Sequence, residues 1–258
     1  MKVAILMYHR LGISSSPEEK VYSVTPSAFG EQMLWLHKNR YTIVPLTSVV
    51  SFVSGQGSLP ERSVALTFDD GYSDFAEHAM PVLSKYRYPS TVFVVADRIG
   101  CSSDWLLEEG GRAWPLMGWQ QIEGALAAGV SIGSHGLSHR RMSKISRVES
   151  SAEIAGSRKF LEDRLGIPVK HIAYPYGDVD HTVAALVNEA GYDAAFTTRS
   201  GFNSKGENRF LLRRLDIFGS DTIRSFSIKV TFGTNNGSYM LPLRYAINRC
   251  FQKIGMGK

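Results

Sequence analysis

Cysteine is scarce in this chain: only Cys101 and Cys250 occur among 258 residues, at no spacing that makes a metal or redox motif. Thiols therefore give no argument for a stapled fold or an oxidising compartment. Long apolar runs are missing too, and no stretch approaches the roughly 20 residues that a membrane-crossing helix needs. The opening Met1–Arg10 offers only the short run Val3–Met7, with no small-residue cleavage site after it. It does not read as a secretory leader, and the chain is expected in the cytoplasm. Acidic residues stop at Asp221, whereas Arg244, Arg249, Lys253 and Lys258 lie beyond Tyr239. Those four account for most of the net charge of +5, so the body is near neutral. It lacks the basic face that phosphate backbones demand, and nucleic acid is not an expected partner.

What is present suits an ordinary soluble globular protein: 43% of residues are hydrophobic and 21% charged. Strand-like runs at Val3–Met7, Tyr41–Pro45, Val64–Phe68, Thr91–Val95, Val130–Gly133, His171–Tyr174, Ala194–Thr198 and Leu211–Ile217 alternate with helical patterns. Helices are expected after Thr25-Pro26, over Asp74–Tyr86 despite Pro81, over Gln120–Ala128, over Ser146–Leu165 with Gly166 as stop, and over Val183–Ala190. Repeated β-then-α units imply a parallel sheet that can close into a barrel. No Ser/Gly-rich linker precedes Asn235-Asn236-Gly237-Ser238, so one domain over residues 1–234 and a tail over 235–258 are expected.

Active sites of such folds gather at the C-terminal ends of the strands. There Val64–Phe68 runs directly into Asp69-Asp70-Gly71, two adjacent anions that repel unless a cation lies between them. A calcium loop starting at Asp69 would need glycine at its sixth position and glutamate at its twelfth. Asp74 and Met80 stand there, and that reading fails. His135 and His139, after the run Val130–Gly133, are four apart, a spacing that suits two ligands of one metal. A chance pair of this kind is common; its place on the same rim as the aspartates is what counts. One carboxylate with two imidazoles makes a three-ligand site with room for water, the arrangement of catalytic zinc. A second carboxylate beside it would accept a proton from the attacking water.

The segments Thr67-Phe68-Asp69-Asp70-Gly71, Ser134-His135-Gly136-Leu137-Ser138-His139 and His171-Ile172-Ala173-Tyr174-Pro175-Tyr176-Gly177 resemble, in order, three motifs of the polysaccharide deacetylases with a NodB-type domain, carbohydrate esterase family 4. The resemblance runs from Tyr8-His9 to about Asp221. It implies an α/β fold, a distorted (β/α)7 barrel in a single NodB-type domain, and metal-dependent removal of N-acetyl, less often O-acetyl, groups from a sugar. By the same resemblance Asp69 is the catalytic base. Asp70, His135 and His139 would hold a divalent metal, Zn2+ first, with Co2+ or Ni2+ as alternatives. Tyr176 would lend a backbone N–H to an oxyanion hole.

Two positions depart from the family pattern. Ala173 stands where an arginine usually orients the base, and no histidine follows His181 to protonate the leaving amine. Arg214 and His9 are the candidates to fill those roles, and a general acid from a Tyr-His segment resembles the circularly permuted biofilm-polysaccharide deacetylase branch. Other readings stay open at this point: His9 bonded to backbone, a carbohydrate-binding protein without turnover, or a metal-dependent hydrolase of a small non-sugar amide. Trp105, Trp114 and Trp119 either pack down the Cys101–Trp119 segment or stack on sugar rings. The tail places Leu243, Ile247, Cys250, Phe251 and Ile254 on one helical face with basic residues opposite. That face would rest on its own domain or, peripherally, on an anionic membrane at its inner face.

Overall fold

The structure, a computed structural model, describes residues 1–14, 17–108 and 110–238. Most of the expected basic tail, residues 239–258, lies outside the described residues. Among the described residues no helix is long and apolar enough to cross a membrane.

Seven parallel strands form the frame: β1 (Lys2–Tyr8), β2 (Ser63–Phe68), β3 (Thr91–Val94), β4 (Ser131–Ser134), β5 (His171–Ala173), β6 (Ala194–Phe196) and β7 (Leu215–Asp216). β7 pairs with β1, β1 with β2, and each later strand with the next up to β6. A single parallel bridge, Phe196 to Leu212, brings β6 round to the segment that leads into β7. The sheet thus curls into a distorted barrel of the (β/α)7 kind. Short strands at Thr42–Ile43 and Asn203–Ser204 are added to β2 and β1.

Side chains alternate faces along a strand, and that parity sorts the core into two layers. Ala4, Leu6 and Tyr8, with Val64, Leu66 and Phe68, face outward under the helices, beside Phe29, Met33, Ile154 and Leu161. Val3, Ile5, Ala65, Phe93, Ala173, Phe196 and Leu212 point into the barrel. The helix Leu46–Val53, which the sequence reading did not anticipate, joins this inner layer through Leu46, Val49, Phe52 and Val53. Gly133 on β4 also faces inward, where a Cβ would lie 2.5 Å from the Phe93 ring. The inner parity takes in Asp216, the last residue of β7, and, continued past the ends of β1, β2 and β4, reaches His9, Asp69 and His135.

Local chemistry accounts for the helix boundaries. The Thr25 side chain accepts the Ala28 N–H and Pro26 opens the helix Pro26–Lys38. Ser146 and Glu149 form a capping box for Arg147–Leu165, which Gly166 ends at φ 66°. Over Asp74–Tyr86 the ladder is irregular: Phe75–Ala79 is a π turn in which the Met80 N–H reaches the Phe75 carbonyl. Pro81, which has no N–H to donate, is thereby accommodated at the start of Met80–Tyr86. The C-terminal helix Ile223–Phe232 was also not expected from the sequence. It carries Lys229, whose buried ammonium bonds Asp221 and the Asp216 carbonyl.

His171 on β5 is buried against the Phe196 ring, and burial brings its pKa from 6.5 down to about 4. A histidine depressed in the folded state gives its full stability above the unfolded pKa, and that stability is lost as pH falls from there toward the folded value. At 1.36 kcal/mol per pKa unit the loss from this residue is about 3 kcal/mol between pH 7 and pH 4. Urea unfolding at both pH values should show a smaller pH-dependent drop for His171→Leu than for wild type. Equal drops in the two proteins would refute this account.

Candidate active site

The C-terminal ends of the strands open into a cavity of about 830 Å³ lined by His9, Asp69, Asp70, His135, His139 and Tyr176 among others. Six of the seven residues singled out from the sequence reach it by the parity of their strands or by the turns that follow. Asp69 continues β2, its N–H still bonded to the Tyr8 carbonyl at 2.9 Å. Strand parity alone would aim Asp70 outward. It adopts a left-handed conformation instead, φ 69°, followed by Gly71 at φ 79°. The reversal thus begins at Asp70 itself, one residue before the glycine, and it brings the second carboxylate back over the barrel mouth. Gly71 lies close enough to β3 that a Cβ would sit 3.0 Å from Val94 Cγ1.

Asp70 Oδ1 lies 3.2 Å from His135 Nε2 and 3.3 Å from His139 Nε2. The ligand atoms of these three buried residues fall within 4.8 Å of one another. His135 Nδ1 is 2.9 Å from the Ala173 carbonyl oxygen. A carbonyl only accepts, so this nitrogen carries a proton, and in the neutral form of the ring the Nε2 lone pair faces Asp70. Asp70 Oδ1 and His139 Nδ1 make no hydrogen bond although both are buried. Lone pairs converging on a carboxylate oxygen, with that oxygen otherwise unsatisfied, fit a divalent cation. Burial pushes the Asp70 carboxyl up, but as protonated rings the two histidines donate to it and oppose its charge, and so hold its pKa well below the ordinary value.

Asp69 faces a different partner. Arg214 sits behind it, wholly buried, and donates two hydrogen bonds to its carboxylate at 2.6 and 2.7 Å. Arg214 also donates to the Thr197 carbonyl and the Thr67 hydroxyl. Burial raises the Asp69 pKa, and the opposing charges of Arg214 and His135, the Arg214 hydrogen bonds and His9 bring it below its usual value. Arg214 does not line the cavity; it lies under its floor. His9 lines the cavity, its ring 4.8 Å from that of Tyr22. Tyr176 has a left-handed backbone, φ 59°, and its ring lies 4.6 Å from His139.

Sequence reasoning missed Asp216. It lines the cavity, burial raises its pKa with His9 opposing, and Asn235 brackets it. The Asn235 amide oxygen accepts the Asp216 N–H, and the amide nitrogen donates to the carboxylate. The available signal was an acidic residue near the end of the strand-like run Leu211–Ile217, comparable to Asp69 just after Val64–Phe68. The tryptophans are engaged within the protein. Trp105 stacks on His139 at 4.3 Å, Trp114 carries the Arg10 guanidinium at 3.4 Å, and Trp119 meets Phe160.

The profile of the polysaccharide deacetylases matches residues 56–195, more than half the chain. The chain belongs to the polysaccharide deacetylase family. It is similar to YxkH of Bacillus subtilis (strain 168), which carries the polysaccharide deacetylase name provisionally: 30% identity over 84% of this chain and 71% of that one. It is also similar to the poly-beta-1,6-N-acetyl-D-glucosamine N-deacetylase of Staphylococcus aureus (strain MRSA252), with 26% identity over 78% and 70%. Among solved structures, the Streptococcus pyogenes deacetylase PplD in complex with acetate superposes with a TM-score of 0.76 at 26% identity, covering 91% of this chain and 99% of that one. IcaB from Ammonifex degensii shares the fold, with a TM-score of 0.77 at 24% identity and coverage of 90% and 97%. Membership makes the chain a hydrolase of carbon–nitrogen bonds outside peptides.

Removing one partner of a buried ion pair leaves the other uncompensated and costs about 3–5 kcal/mol. Arg214→Met and Asp69→Asn should each lose stability on that scale in chemical denaturation. The double variant should lose clearly less than the sum. Additive losses would mean that the two groups do not depend on each other.

Proposed function

We propose that the chain hydrolyses N-acetyl groups from N-acetylhexosamine units of a poly- or oligosaccharide, with a divalent metal, Zn2+ first, held by Asp70, His135 and His139. The observation that carries this reading is the division of labour between adjacent aspartates: Asp70 faces two imidazoles, while Asp69 is held by a buried guanidinium. A cation bound by the three ligands supplies a Lewis acid that polarises the acetyl carbonyl and acidifies water. The substrate class is supported by similarity to the staphylococcal poly-beta-1,6-N-acetyl-D-glucosamine N-deacetylase.

Asp69 is the proton acceptor. A carboxylate offers about four lone-pair sites, so two bonds to Arg214 leave room to take a proton from water as its oxygen attacks the carbonyl carbon. Arg214 keeps the carboxylate ionised and fixes its plane. The Tyr176 backbone N–H is assigned to the carbonyl oxygen as it gains charge, a contribution on the order of 3 kcal/mol for such donors. His9 is assigned the proton that the amine takes as the carbon–nitrogen bond breaks, releasing acetate and a free amine on the sugar. Asp69 also lines the cavity beside the three ligands, where a proton acceptor is needed for turnover but not for binding alone.

The test is acetate release from N-acetylglucosamine oligomers by protein stripped of metal and restored with Zn2+ or Co2+. Release should require the metal. Asp69→Asn, assayed well below its unfolding temperature, should lower kcat by about 100-fold or more with metal stoichiometry unchanged. Undiminished release by that variant would remove Asp69 from the mechanism.

A further inference from the structure

The buried carboxylate of Glu153 has no part in the reaction as proposed. Glu153 lies on the helix Arg147–Leu165 and is only 6% exposed. Unpaired, such a group would cost several kcal/mol to bury. Its Oε2 accepts the backbone N–H groups of both Leu137 and Ser138, each at 2.9 Å, and its Oε1 accepts the Ser138 hydroxyl. These residues are the centre of the short segment that joins His135 to His139.

The segment is held from its other side as well. The Gly136 and Leu137 carbonyls accept N–H groups of Ala96 and Asp97 at 3.1 and 3.0 Å. The same helix that carries Glu153 provides Ser157, whose hydroxyl accepts from Ser134, just before His135. Gly136 has φ 80°, and a Cβ there would lie 3.3 Å from Glu153 Oε2. His139 is itself left-handed at φ 65°. For a residue with a side chain that conformation is unfavourable by roughly 1–2 kcal/mol, so the surroundings must impose it.

We propose that Glu153 is a positioning residue: by clamping Leu137 and Ser138 it sets the separation and angle of His135 and His139, and so the affinity and geometry of the metal they hold. This rests on the reading of Asp70, His135 and His139 as ligands. The clamp acts through hydrogen-bond geometry rather than charge. In Glu153→Gln the amide oxygen can accept both N–H groups while the amide nitrogen donates to the Ser138 hydroxyl. Glu153→Asp keeps the charge but is one methylene too short.

Metal-stripped wild type, Glu153→Gln, Glu153→Asp and Glu153→Ala are titrated with Co2+. The titration follows its visible absorption bands and its Kd in competition with a chelator, with circular dichroism of each stripped protein. Glu153→Asp and Glu153→Ala should bind Co2+ about 10–100-fold more weakly, the scale for lost support of a metal ligand, with altered bands. Glu153→Gln should stay within about threefold of wild type, with its bands unchanged. Folded Glu153→Asp with wild-type Kd and spectrum would overturn the proposal. So would an impaired Gln variant beside an intact Asp variant, which would make charge the cause. If Glu153→Ala does not fold, the Asp and Gln pair decides. Wild type without a stoichiometric Co2+ site would remove the ligand reading and this proposal together, whereas a normal wild-type site with an unperturbed Asp variant removes this proposal alone.

Discussion

The Asp69–Arg214 ion pair joins residues 145 apart in sequence, beneath the floor of the cavity. Asp69 extends β2, while Arg214 immediately precedes β7, and β1 lies between those two strands. Placing a full positive charge inside the barrel is costly unless it is met at close range by a carboxylate and by further acceptors. Thr67 and the Thr197 carbonyl provide those acceptors, so the guanidinium is fixed by β2, by the segment after β6 and by its own chain. Barrel closure and the charge state of Asp69 are therefore one constraint. The same pair that brings the last parallel strand home determines which of two neighbouring aspartates stays available beside the ligand cluster.

Much of this arrangement follows from parity. A strand that ends in a pair of acidic residues presents one of them to the interior and one to the helices. The chain keeps both at the mouth by spending a left-handed residue on the second. Of the six non-glycine residues with positive φ among those described, three are Asp70, His139 and Tyr176, all lining the cavity. Strained backbone persists where surrounding contacts over-determine it. Here those contacts include the β3 wall beside Gly71 and the bonds from Glu153, which turn steric cost into aim.

How much of this was legible beforehand depended on whether the signal was local. Strand runs, the Ser146–Glu149 cap and the Gly166 stop are written in a few consecutive residues, and the seven parallel strands follow from them. Asp69, Asp70, His135 and His139 were visible because adjacent or i,i+4 spacing brings them to one rim. Arg214 was legible only as a candidate, because its partner is set by barrel closure, which no local pattern encodes. The helices Leu46–Val53 and Ile223–Phe232 were missed. The first is rich in β-branched residues that read equally well as strand, and the second alternates apolar and polar residues without a clean helical stripe. Asp216 was missed because its neighbours Asn235 and His9 converge on it only after folding.

Trp105 stacks on His139 with the rings 23° from parallel. An indole in face contact with an imidazole feels any change in the charge of that ring. On the proposed role of His139 as a ligand, cation uptake would also alter the environment of an intrinsic fluorophore and give an optical readout of occupancy. The other tryptophans are set against Phe226, Arg10 and Phe160 rather than against a ligand imidazole.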